Sequence, residues 1–117
     1  MNKYFYIQLL ILTLSLFSQT LVAANKYWVG NGGNWSDNSH WSLTSGGTSG
    51  AAIPSAFDIA VFDQNSFNSA NHSVIISENI SIGGLDWRNV SLNPTLSADT
   101  PVIMTLYGEI YFTKEMT

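Results

Sequence analysis

The sequence predicts an all-β protein built as a tryptophan-rich cap followed by the first coils of a β-solenoid, with a small β-sandwich as the alternative architecture. Three observations predict it. Past residue 24, Gly, Asn, Ser and Thr make up 39 of 93 residues, and the apolar remainder is largely β-branched or aromatic, a mixture that disfavours helix interiors and suits pleated strands. Two segments alternate with a period of two residues, which puts one face in a core and the other in water. Finally, the C-terminal half matches itself at an offset of 22, pairing Val74 with Leu96, Ile80 with Val102, Ile82 with Met104 and Val90 with Phe112. A repeat of that length is expected when one coil stacks on the next.

The chain opens with MNKYFYIQLLILTLSLFSQTLVAA: one charge at Lys3, an apolar run from Tyr4 to Phe17, then the small residues of Val22-Ala23-Ala24. This is the layout of a secretory signal peptide, residues 1–24, with cleavage expected after Ala24. The apolar run falls short of the ~20 residues a membrane span needs. The expected destination is the cell exterior or a bacterial surface, with no membrane span after cleavage.

Residues 25–56 form the expected cap. KYWVG, Lys26 to Gly30, is a strand candidate; GNGGN, SDNSH and TSGGTSG after it are turn formers, and Pro54 closes the region. WVGNGGNWSDNSHW places Trp28, Trp35 and Trp41 within fourteen residues. The first coil of a solenoid exposes unpaired backbone and an apolar interior, which need a cover. Three indoles, each burying ~150–250 Å², suit that task, and Gly30, Gly32 and Gly33 let the backbone turn tightly below them. The alternative use of the same rings is to stand exposed and stack on sugars, with Trp35 and Trp41 as the platform of a carbohydrate-binding module. Burial distinguishes the two.

Residues 57–117 form the expected coils. FDIAVFD, Phe57 to Asp63, reads as a strand ended by the polar QNSFNSANH. Val74, Ile76, Ile80 and Ile82 share one parity, as do Val102, Met104, Leu106, Ile110 and Phe112, with a bend at Gly108. Ile75 and Ile103 break the alternation. The expected core is Ile82, Leu85, Trp87, Met104, Leu106 and Phe112, and the last strand, Val102 to Thr113, is expected to leave an open edge prone to self-association.

Charge and chemistry narrow the function. After residue 24 there are three cations, Lys26, Arg88 and Lys114, against eight acids, so nucleic acid and anionic lipid, both bound through cationic charge, are not expected partners. There is no cysteine, which leaves out thiol chemistry and Cys-based metal sites; a small exported domain without disulfides points to a bacterial surface or a larger assembly. Asp58 and Asp63 bracket IAVF at opposite parity, poor geometry for a shared metal or acid–base pair, and read as loop caps. Asp86 with Arg88 reads as a strand-end ion pair. His40 and His72 are far apart in sequence without a third ligand at fixed spacing. No catalytic residues, metal or cofactor are expected. The N-x-S sites at Asn34, Asn71, Asn79 and Asn89 are what such a composition produces by chance.

Taken in order, YWVGNGGNWSDNSHWSLTSGG, IPSAFDIAVFDQNSF, GGLDW and LYGEIYF resemble the N-terminal region of very large secreted, adhesin-like repeat proteins of gliding, type IX-secreting outer-membrane bacteria. The resemblance covers almost all of the chain after residue 24. It implies a non-enzymatic segment of a surface protein, with glycans or other cell-surface proteins as partners. Such proteins continue for hundreds of residues to a sorting domain, whereas this chain stops at KEMT; by resemblance it is a fragment, a truncated reading frame or a pruned relative.

Overall fold

The structure, a computed structural model, describes residues 22–113. The expected signal peptide falls outside them except for Val22–Ala24. Ten short strands and one 3-10 turn follow: β1 (Asn25–Trp28), β2 (Gly33–Asn34), the 3-10 turn (Asn38–His40), β3 (Trp41–Ser42), β4 (Ile59–Val61), β5 (Ser73–Ile76), β6 (Ile80–Ile82), β7 (Gly84–Asp86), β8 (Thr95–Ala98), β9 (Met104–Leu106) and β10 (Ile110–Tyr111). The described chain is thus all-β, as its composition predicts.

The strands form three sheets: a five-stranded one in the order β10-β7-β4-β1-β3, a three-stranded one, β2-β5-β8, and a two-stranded one, β6-β9. Among the described strands every pairing is parallel except β1 with β3, and Ser42 of β3 makes one further antiparallel bridge, to Ser49. From β4 onward the chain visits the sheets in a fixed order, β4-β5-β6 and then β7-β8-β9, before β10 returns to the first sheet. Strands on either side of residue 56 share sheets: β1 pairs with β4 and β2 with β5.

The registers correct the single offset of 22. Val74 does lie opposite Leu96, but Ile80 pairs with Met104 and Ile82 with Leu106, an offset of 24, and Ile59 pairs with Gly84 and Leu85 with Ile110, an offset of 25. Turn lengths cause the drift. Eleven residues (62–72) join β4 to β5 but eight (87–94) join β7 to β8, and three residues (77–79) join β5 to β6 but five (99–103) join β8 to β9. A parallel ladder fixes register only within each sheet, so each connection sets its own length.

A second regularity recurs along one sheet. The strands β2, β5 and β8 of one sheet are each preceded, two residues earlier, by an asparagine with positive φ: Asn31 at 70°, Asn71 at 65° and Asn93 at 51°. Asparagine tolerates the left-handed region better than other non-glycine residues, so N-G-G, N-H-S and N-P-T mark the same corner three times.

One contiguous core runs through the sheets, comprising Trp28, Trp35, Trp41, Ala60, Phe62, Phe67, Val74, Ile76, Ile80, Ile82, Leu85 and Trp87. Ile82, Leu85 and Trp87 are buried, as expected. Met104 and Leu106 are only half-buried, packed against the margin of that cluster. Phe112 is a correction: it is 52 % exposed. Its register is the inward one, because Asp86 lies opposite Tyr111 and Trp87 opposite Phe112, but no described strand covers it on the far side. Phe62, which sequence parity left unassigned, fills the same column: its ring stacks 5.7 Å from Trp28 and lies 4.2 Å from Trp87.

Candidate functional site

The tryptophan cluster is assembled from the turn that follows β1. Gly30 at φ 83° and Asn31 at φ 70° reverse the chain. Asn31 then fixes both ends of the turn: its carbonyl accepts from Trp28 Nε1 at 2.6 Å, its side-chain oxygen accepts from the Asn68 N–H at 2.8 Å, and its own N–H donates to the Ser66 carbonyl at 3.3 Å. The same residue thereby orients the Trp28 indole and binds this turn to the segment after β4.

The 3-10 turn is started by Asp37, whose carboxylate accepts from the Ser39 N–H at 2.9 Å, the usual way a short acid satisfies an orphan donor. The Ser39 hydrogen bonds hold the Asp37 carboxyl below its ordinary range. The chain then enters β3, antiparallel to β1, with Trp41 opposite Trp28 and Ser42 opposite Tyr27. An antiparallel strand on the last parallel one covers what would otherwise be an open sheet edge.

Four aromatic groups meet there. Trp28 and Trp41 contact edge to face at 5.2 Å, Trp35 and Trp41 at 4.9 Å, and Phe62 lies 5.7–6.0 Å from all three. Such offset and perpendicular contacts exploit the ring quadrupoles as well as the buried area. The Trp41 indole N–H donates to the Trp35 carbonyl at 2.8 Å. His40 closes the assembly: its ring stacks on Trp28 at 4.5 Å and 4°, its Nδ1 donates to the Val29 carbonyl at 2.8 Å, and its own carbonyl accepts from the Val29 N–H at 2.8 Å. Sequence reasoning weighed His40 as a metal ligand; its partner is the Trp28 ring, which spacing alone does not reveal.

Trp28, Trp35 and Trp41 each have 0 % exposure. In this arrangement they present no face to a sugar, so the platform reading of Trp35 and Trp41 loses its geometry. Exposed aromatic rings lie elsewhere, at Phe57, Tyr107, Tyr111 and Phe112, of which Tyr111 is on the outer face of the five-stranded sheet. An open groove of about 700 Å³ there is lined by Tyr27, Ile59, Val61, Asp86, Arg88 and Tyr111, among others.

The other singled-out residues are committed to local structure. Asp58 accepts from the Ser55 N–H at 2.9 Å and the Ala24 N–H at 3.2 Å; burial pushes its carboxyl up, but those hydrogen bonds and the nearby Lys26 ammonium prevail and hold it below its ordinary value. Asp63 accepts from the Asn65 N–H at 2.9 Å and the Ser45 hydroxyl at 2.6 Å. Asp86 takes a two-pronged ion pair from Arg88, at 2.7 and 3.0 Å, which holds the Asp86 carboxyl down; the guanidinium also sits 4.1 Å over the Tyr111 ring. His72 is within 2.8 Å of the Ser69 hydroxyl. Among the described residues no three His, Asp or Glu side chains converge as a metal site, and no helix is long and apolar enough to cross a membrane.

Comparisons with protein families, with curated proteins and with solved structures find no match to this chain.

Proposed function

We propose that this chain is the sealed beginning of a β-solenoid in an exported, adhesin-like surface protein, and that its role is architectural rather than enzymatic. Residues 25–56 start the stack and shut its first end; residues 57–117 are its opening coils. The observation that carries the reading is the complete burial of Trp28, Trp35 and Trp41 beside the one antiparallel strand, at the edge of sheets that are otherwise parallel. Parallel pairing through three sheets favours stacked coils over a sandwich, whose sheets are antiparallel. Asp58, Asp63 and Asp86 are each occupied by turn or ion-pair partners rather than converging on a common point, which supports a non-enzymatic role. In this reading, partners such as surface glycans or neighbouring surface proteins meet coils further along the stack.

The cap is tested by tryptophan fluorescence of the exported protein with acrylamide as quencher. A sealed cap gives blue-shifted emission and a quenching constant several-fold below that of free tryptophan, unchanged by added oligosaccharides. Ready quenching by acrylamide, relieved on adding an oligosaccharide, would instead support a sugar platform.

One observation favours a second reading. Tyr27 and Tyr111 occupy the same outward column of the five-stranded sheet, since Tyr27 lies opposite Val61, Val61 opposite Asp86 and Asp86 opposite Tyr111. Three strand spacings put them ~14 Å apart, a span that suits a short glycan lying across the strands. Retention on immobilised polysaccharide that is lost in a Tyr27→Ala, Tyr111→Ala double variant would establish it; equal elution of both proteins would remove it.

A further inference from the structure

We infer that Asp58 is the receptor for the amino terminus of the exported chain, and that the leader is cut between Ala23 and Ala24, one residue before the position that small-residue spacing selects. The inference rests on the leader reading of residues 1–24.

Asp58 stands at the junction of three strands. Its backbone carbonyl accepts from the N–H groups of Gly83 and Gly84 at 2.8 and 3.2 Å, just before and at the start of β7, and its N–H donates to the Ser55 carbonyl at 3.0 Å. One carboxylate oxygen takes the Ser55 N–H, and the other faces the Ala24 nitrogen at 3.2 Å. The residue is only 9 % exposed, so each donor it has matters: a buried carboxylate is tolerated when its oxygens are matched by donors or a cation. Ala24 is engaged at both ends, because its carbonyl also accepts from the Ile59 N–H at 2.9 Å, extending the β1–β4 ladder by one bond. Val22 and Ala23, in contrast, are exposed.

The two candidate cuts leave different molecules. Hydrolysis of the Ala24–Asn25 bond removes the acceptor of the Ile59 N–H and one of the two N–H donors to the Asp58 carboxylate. Hydrolysis of the Ala23–Ala24 bond by a signal peptidase adds one water: the hydroxyl goes to the Ala23 carbonyl carbon, which leaves as a carboxylate, and the protons go to the Ala24 nitrogen, which becomes an ammonium. The ladder bond survives, and a neutral N–H donor 3.2 Å from a buried carboxylate becomes a cation, a stronger pairing. Ala23 supplies the small residue before the cut, and Leu21 an uncharged one two places earlier. The peptidase meets the unfolded precursor, so the fold does not steer the cut; it accommodates this product and leaves the other short of contacts.

The full 117-residue chain, exported through a bacterial envelope and purified, is read by intact mass and N-terminal sequencing. The expected start is Ala-Asn-Lys-Tyr-Trp. A start at Asn-Lys-Tyr-Trp overturns the inference while leaving the export reading intact, and a chain that keeps its leader overturns both. A second arm measures the rate at which an aldehyde reagent selective for N-terminal α-amines labels the protein. The native protein is expected to react at least tenfold more slowly than D58N, or than the same protein unfolded in urea should D58N fail to fold. Equal rates in native and unfolded protein would show that the amine is not held.

Discussion

At the scale of single residues, the cap depends on a glycine that makes room for a histidine. A methyl group added at Gly33 would overlap the imidazole Nε2 of His40, and that ring cannot simply swing away while it stacks on Trp28 and donates to Val29. Gly33→Ala is therefore expected to destabilise the protein by about 1–3 kcal/mol, the usual cost of overfilling a packed site. Combined with His40→Ala, which empties the space, the loss in the double variant should be smaller than the sum of the two single losses; thermal melts of the two single variants and the double variant check it. Asp58 supplies a pH dependence. Its carboxyl is held below the ordinary aspartate value, so its contribution is fully present above the unfolded pKa of ~3.9 and is lost as pH falls through the depressed folded value. Melting temperatures followed from pH 6 down to pH 2 should fall in the native protein, and D58N should start lower and lose less over the same range. Trp28, Trp35 and Trp41 are all buried, the outcome that bulky rings set among turn formers lead one to expect. It left Phe57 and Phe62 unresolved, since FDIAVFD sets them on opposite parities and only the fold decides that Phe62 is buried while Phe57 is 54 % exposed. Asp58 read correctly as a local cap, but its reach to Ala24 crosses 34 positions and leaves no trace in spacing.

At the scale of elements, the strands were more legible than the turns that join them. Period-2 alternation located β5, β6 and β9, because burial on one face writes itself directly into the sequence. The inter-strand offset was legible only in part: it is 22 in the sheet containing Val74 and Leu96 and drifts to 24 and 25 elsewhere because each connection has its own length. The turn before β8 carries a strain that the equivalent turn before β5 avoids. Leu92 adopts φ 70°, a region that costs a branched side chain on the order of 1 kcal/mol, while its carbonyl is held by the Asn71 N–H at 3.1 Å. The Leu92 side chain is 40 % exposed, so little packing opposes its removal. Leu92→Gly is expected to raise the melting temperature by a few degrees, and Asn71→Ala, which imposes strain at a position now relaxed, to lower it by a similar amount. If Leu92→Gly lowers the melting temperature instead, the leucine contributes packing that outweighs its backbone strain.

At the scale of the whole molecule, the two sides of the described sheets differ. Among the described residues β3, β2 and β6 end the sheets on one side and β10, β8 and β9 on the other, but the β3 side carries the buried indole cluster whereas Ile110 and Phe112 of the β10 side are 44 % and 52 % exposed in inward-facing register. Bare edges with apolar residues recruit further strands. The chain tested alone is therefore expected to self-associate with rising concentration, and an Ile110→Lys, Phe112→Lys variant to sediment as a monomer with a melting temperature within a few degrees of the original. Undiminished association in that variant would move the contact to another surface. Met104 and Leu106, expected as core from their alternation, lie at its margin, because their coverage depends on what packs beyond β9 rather than on alternation alone.

The difference between the two sides is measured most directly by hydrogen exchange followed residue by residue with NMR. If the cap seals the stack, the indole N–H groups of Trp28 and Trp41, bonded to Asn31 and Trp35, and the amides of β1 and β4 should exchange orders of magnitude more slowly than the amides of β10. Indole protons that exchange at the rate of free tryptophan, or β10 amides as protected as those of β1, would contradict it.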